Sequence, residues 1–239
     1  MATPRFLVDR IPAGGESAWL PRDEARHALG SRRLGAGDPI ELVDGRGGLA
    51  LAHVGNDRDR EGNLAAQVSE VRHAPRPQPA IHVATAVPKG DRLSSLLDAA
   101  GELGVESLTP LDCERSVVPA DRLGGERPAR ILVEAMKQSR GLWWTEIRPP
   151  SDPWAFTRHA HAAGQRVVLL DPAGLPLLRT VQNAASIALL VGPEGGFSES
   201  EVAQITDAGA ARAALGPGIL RIELAVAVAC GAIRAAHEA

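Results

Sequence analysis

The chain has 239 residues, 44% of them apolar, a formal net charge of −3 and only two cysteines. That length and apolar content allow one large domain or two modest ones, and no run approaches the roughly 20 apolar residues needed to span a bilayer. The slightly acidic balance argues against a protein that coats nucleic acid without selectivity, because such affinity comes mainly from neutralising phosphates.

Residues 1–72 read as a small β-rich domain. A short helix is expected at 21–29, with acids in its first turn. Residues 39–45 and 48–54 alternate as strands around the turn Asp44-Gly45-Arg46-Gly47-Gly48, and 64–71 is a third strand. Residues 73–79, with prolines at Pro75, Pro77 and Pro79, form an extended linker. Beyond it strands are expected at 80–87, 107–111, 166–170 and 187–191, and helices at 91–103, 128–139, 198–208 and 225–236. This alternation predicts an α/β domain over 80–239 with a mostly parallel sheet and helices on both faces.

The strand Ile187-Ala188-Leu189-Leu190-Val191 runs straight into Gly192-Pro193-Glu194-Gly195-Gly196-Phe197-Ser198. A glycine-rich turn at the carboxyl edge of a buried strand exposes backbone amides where open α/β sheets bind nucleotide-like ligands. A second such loop, Leu215-Gly216-Pro217-Gly218-Ile219-Leu220-Arg221, precedes an apolar helix. Taken alone, each loop is equally a tight turn that needs glycine for its backbone; together they suit one enclosed small molecule. Neither a Walker loop nor a dinucleotide fingerprint is present. Glu194 would repel a pyrophosphate, so the pocket favours a ligand with little negative charge or a positive centre, as in adenosyl sulfonium compounds.

These residues resemble the RsmE branch of the SPOUT methyltransferases, and Lys89-Gly90-Asp91-Arg92, Glu102-Leu103-Gly104-Val105, Glu114-Arg115-Ser116 and Gln138-Ser139-Arg140 extend the resemblance over most of the chain. Two positions differ from the family pattern in the second loop: Gly218 stands where an Arg is usual and Leu224 where a Thr is usual. The resemblance implies a PUA-like barrel ahead of a SPOUT domain with a C-terminal trefoil knot. It also implies S-adenosylmethionine as cofactor, N3 of one uridine in 16S ribosomal RNA of the small subunit as target, and a homodimer formed through the C-terminal domain. Alternatives are a SPOUT enzyme acting on another rRNA or tRNA position, and a non-catalytic RNA-binding assembly factor.

The expected cofactor contacts are Leu190, Val191, Gly192, Glu194, Gly195 and Gly196 from the first loop and Leu215, Gly216, Ile219 and Leu220 from the second, with Glu194 structural and close to the cofactor. Arg221 and Glu223 either pair with each other or act in catalysis. In the catalytic reading Arg221 stabilises the uracil N3 anion, and a Glu or a water is the base. Arg5, Arg32, Arg33, Lys89, Arg92, Arg115 and Arg140 are the candidate RNA footprint, each of which alone is equally a solvated surface cation. Trp143 and Trp144 are packing residues or base-stacking platforms. The seven histidines form no ligand cluster, so no metal is expected, and Cys113 and Cys230 are read as buried thiols. Residues 1–6 lack a signal-peptide core, so a soluble cytoplasmic protein with no membrane partner is expected.

Overall fold

The structure is a computed structural model that describes residues 3–237. It divides into two compact units, one of residues 3–76 with Arg140–Trp143, the other of Pro77–Ser139 with residues 144–237. The segment 140–143 was expected in the second domain. It joins the first unit because Arg5 Nη1 donates to Gly141 O (3.1 Å), Gly47 N to Leu142 O (2.8 Å) and the Trp143 indole to Ala74 O (3.1 Å).

The first unit carries β1 (Arg5–Leu7), β2 (Ser17–Leu20), α1 (Arg22–Arg26), a π-helical turn (His27–Ser31), β3 (Pro39–Val43), β4 (Gly48–Arg58) and β5 (Leu64–His73). The sheet order is β1-β3-β4-β5-β2, antiparallel except for the parallel β1–β3 pair. Alternation places Phe6, Leu20, Ile40, Leu42, Ala50 and Val68 in its core. In the predicted turn, Asp44 Oδ1 accepts from Arg46 N (2.8 Å) and Gly48 N (2.9 Å), while Gly45 and Gly47 take positive φ.

The second unit runs β6 (Ala80–Thr85), α2 (Arg92–Glu102), β7 (Ser107–Pro110), a 3-10 turn (Ala120–Leu123), α3 (Glu126–Gln138), β8 (Glu146–Ile147), α4 (Pro153–Ala162) and β9 (Arg166–Pro176). Then follow α5 (Leu177–Thr180), β10 (Ser186–Val191), α6 (Glu199–Asp207), β11 (Ala211–Ala214) and α7 (Ile222–His237). The six strands are all parallel, in the order β11-β9-β10-β6-β7-β8. The central strands β6 and β10 are buried along almost their whole length, and β10 is apolar from Ile187 to Val191, as a sheet covered on both faces requires.

Right-handed crossovers put α2, after β6, on one face and α6, after β10, on the other. Accordingly α2 packs on α3 and α7, whereas α4 packs on α6. Strand order therefore reverses between β6 and β10, and their carboxyl ends mark the crevice where open α/β sheets bind ligands. Arg234 of α7 ties this layer together by donating to Pro79 O (2.6 Å), Gly104 O (2.7 Å) and Leu103 O (3.1 Å). No helix among the described residues is long and apolar enough to cross a membrane.

Candidate active site at the switch of the parallel sheet

The first glycine loop leaves β10 at the switch point, where Ala86 N, beyond β6, donates to Val191 O (3.0 Å). A Cβ on Gly192 would sit 2.8 Å from the Phe197 ring, so only glycine lets the loop fold back on that ring. Gly196 takes φ +69° and donates to Pro193 O (2.8 Å), closing a tight turn with Glu194, Gly195 and Gly196 exposed at its tip. Ser198 then caps α6: its Oγ accepts from Glu201 N (3.1 Å) and its N–H donates to Glu201 Oε2 (2.7 Å). The other Glu201 oxygen accepts from Glu114 N (2.9 Å), which docks the 114–116 segment on the loop.

Two cations hold the outer side. Arg115 Nη1 donates to Gly195 O (3.0 Å), and Arg92 pairs with Glu194 (3.1 Å). Both were expected at the RNA, and in the structure both brace the first loop. The ion pair with Arg92 holds the Glu194 side chain at the loop tip.

The second loop follows β11. Leu215 and Leu220 are partly buried against the core, whereas Ile219 is 89% exposed. Gly216 has φ +152°, and no atom lies within 4 Å of a Cβ built on Gly196, Gly216 or Gly218, so these backbones face open space. Arg221 is exposed, and its carbonyl accepts from Ala225 N (2.8 Å) in the first turn of α7. Glu223 is half-buried, and its Oε2 is buried with no hydrogen-bond partner. An ion pair between Arg221 and Glu223 does not form among the described residues. Leaving a buried acceptor unsatisfied costs about 1–3 kcal/mol, so the Glu223 oxygen calls for a partner such as water, an ion or a substrate donor.

The RNA methyltransferase domain family matches residues 75–234, and the RNA methyltransferase PUA domain family matches residues 20–60. Ribosomal RNA small subunit methyltransferase E of Mycobacterium tuberculosis (strain CDC 1551 / Oshkosh) is 32% identical over 98% of this chain and 92% of its own length. The chain belongs to the ribosomal RNA small subunit methyltransferase E family. The Bacillus subtilis (strain 168) member is 27% identical over 88% of this chain and 87% of its own. Among solved structures, the putative methyltransferase Lpg2936 of Legionella pneumophila, in complex with bound SAM, is similar with TM-score 0.86 and 28% identity, covering 99% of this chain and 98% of that one. The methyltransferase E of Neisseria gonorrhoeae bound to S-adenosyl methionine has the same TM-score at 25% identity, covering 98% of both chains.

In this methyltransferase E family member the other candidate RNA cations separate into two kinds. Arg5, with a side chain only 8% exposed, pairs with Glu41 (2.8 Å), and Arg140, at φ +62°, pairs with the same carboxylate (2.7 Å). Both tie the 140–143 segment to β3, Arg5 from a largely buried position and Arg140 from an exposed one. Arg32 lies 3.4 Å from His27 Nε2 and is exposed, as are Arg33 and Lys89. Trp143 is a packing residue: a Cβ on Gly47 would meet its ring at 2.6 Å, and Arg76 lies over the ring at 4.4 Å. The bracing contact between Glu201 and the Glu114 amide was not expected from the sequence, although Ser198 followed three residues on by Glu201 is a capping-box pattern that marks the helix start. Among the described residues no group of His, Cys, Asp and Glu is placed to hold a metal ion.

Proposed function

We propose that this chain uses S-adenosylmethionine to methylate N3 of one specific uridine in 16S rRNA of the small ribosomal subunit, in the cytoplasm. The observations that carry the reading are the glycine loop at the sheet's switch point and the open second glycine loop after β11, with the unsatisfied Glu223 Oε2 just beyond it. Residues of both loops fit the adenosyl group: buried Leu190 and Val191 supply an apolar wall, Gly192 keeps the loop folded against Phe197, and the exposed backbones at Gly195, Gly196 and Gly216 supply donors and acceptors. Leu215, Ile219 and Leu220 complete the enclosure, and Glu194, held by Arg92, keeps the loop tip in place.

S-adenosylmethionine, when bound, supplies an electrophilic methyl group on a sulfonium. The chain's own residues act on the uracil. N3 must lose its proton before its electron pair can form a bond to the methyl carbon as the carbon–sulfur bond breaks and a neutral thioether leaves, and Arg221 lowers the cost of the N3 anion. Glu223, or a water it holds, accepts that proton. The target must be unstacked, so the substrate is an assembled or nearly assembled small subunit.

Residues 1–72 form a PUA-like RNA-binding domain joined through 73–79 to a methyltransferase domain at 80–239, with Lys89, Arg32 and Arg33 among the RNA contacts. The C-terminal part is knotted: α7 returns from the edge strand β11 to the α2 face, crossing the strands already laid down, a path that supports threading. A homodimer forms through α7, whose Leu224 and Val228 are 47% and 37% exposed one turn apart. The direct test is incubation of the full chain with methyl-labelled S-adenosylmethionine and unmethylated small subunits. Label in N3-methyluridine of 16S rRNA supports the proposal; label at another base or in tRNA, or no binding of the cofactor by the folded protein, refutes it.

A further inference from the structure

A cleft of about 930 Å³ opens on the second unit between the start of α2, the 3-10 turn and the start of α3. Its floor is apolar, made by Leu93, Leu97, Val118 and Ile131, all packed on the core. Its rim carries Lys89, Arg122 and Arg127, all exposed, and among the described residues none of the three forms an ion pair. Asp91 and Asp121 stand in the same cleft. Arg92, between the cleft residues Asp91 and Leu93 at the start of α2, reaches Glu194 of the first glycine loop (3.1 Å).

This chemistry is selective. Two carboxylates beside three cations disfavour a compact polyphosphate, and suit single phosphates spaced along a strand. An apolar floor accepts the face of an unstacked base, which a duplex does not offer. Carboxylates accept hydrogen bonds from a ribose 2′-hydroxyl, a group that DNA lacks. We infer that the cleft holds one unstacked ribonucleotide of the substrate strand, outside the methylated position, with Arg122, Arg127 and Lys89 on its phosphates and Asp91 or Asp121 on its ribose. This rests on the rRNA reading above. It adds Arg122 and Arg127, which lie outside the glycine loops, as positioning residues.

The test is affinity of the full chain for isolated small subunits across a salt series, with cofactor affinity measured in parallel. Arg122→Ala with Arg127→Ala is expected to weaken subunit binding at least tenfold. The slope of log affinity against log salt should fall by about 1.4, from ~0.7 per phosphate contact on a single strand. Cofactor affinity should not change, and the Arg122→Lys/Arg127→Lys pair should recover most of the loss, which separates charge from folding. Unchanged subunit affinity and slope in the alanine pair, or an equal loss of cofactor affinity, overturns the inference. The two readings fail separately: normal transfer with unchanged KM in the alanine pair removes only the cleft, whereas wild-type protein that binds subunits through the cleft but transfers no methyl removes only the methyltransferase reading.

Discussion

Glu223 and Arg221 sit two residues apart, yet one is half-buried with an orphaned oxygen and the other is exposed. A salt bridge would have satisfied both, so their separation leaves each available to a substrate. Arg221→Ala is expected to lower methyl transfer by about 10²–10³, the usual loss for a group that stabilises developing negative charge, with cofactor affinity little changed. Equal losses in titration calorimetry and turnover would remove its substrate-side role. Glu223→Gln should leave the fold intact and cut turnover by about 10² if the carboxylate takes the proton. The cysteines give a separate reading of burial. Burial pushes the Cys230 thiol up to about 12; burial, then the Glu201 charge, does the same for Cys113. Since the folded thiols keep their protons above the ordinary value of 9.0, the associated stability is fully present below that pH and is lost as pH rises toward about 12. Thermal unfolding across that window should show the decline, and both thiols should resist alkylating reagents near pH 8 until the protein unfolds; fast labelling of the native chain would contradict the buried placement.

The first loop is the element that sequence made most legible, because its chemistry is local. Gly192 must admit the Phe197 ring, Gly196 must take positive φ, and Ser198 with Glu201 must start a helix, and each demand shows in the residue type. What braces the loop was not legible, since Glu114, Arg115 and Arg92 are distant in the chain and only the fold brings them to Glu201, Gly195 and Glu194. The central strand β10 was likewise readable as a continuous apolar run from Ile187 to Val191. By contrast β8 has two residues and β11 four, too short to show a period, and α4 was missed although Asp152 caps it and Pro153 opens it. Glu201→Ala removes one cap and strands the Glu114 amide, so it should destabilise the second unit by about 1–3 kcal/mol and weaken cofactor binding more than a surface change does. Gly192→Ala should abolish cofactor binding while leaving the first unit folded, as read by hydrogen exchange; retained binding would show that the Phe197 contact is dispensable.

At the scale of the whole molecule, the proposed cofactor site rests on the switch between β6 and β10, and the proposed homodimer rests on the exposed apolar residues of α7. Leu224, where the family pattern has Thr, lies on that exposed face and adds apolar area to it. Sedimentation should show a dimer, and Leu224→Glu with Val228→Glu should shift it toward monomer, while a wild-type monomer at micromolar concentration would contradict the dimer. The alternation of strands and helices made the parallel sheet readable in advance; the return of 140–143 to the first unit was not, because it depends on Glu41 accepting two distant arginines. The central claim is the chemistry at one uridine. Nucleoside mass spectrometry of 16S rRNA from cells lacking this chain should show loss of N3-methyluridine, restored by the wild-type chain and not by Arg221→Ala. Unchanged N3-methyluridine in those cells would contradict the account.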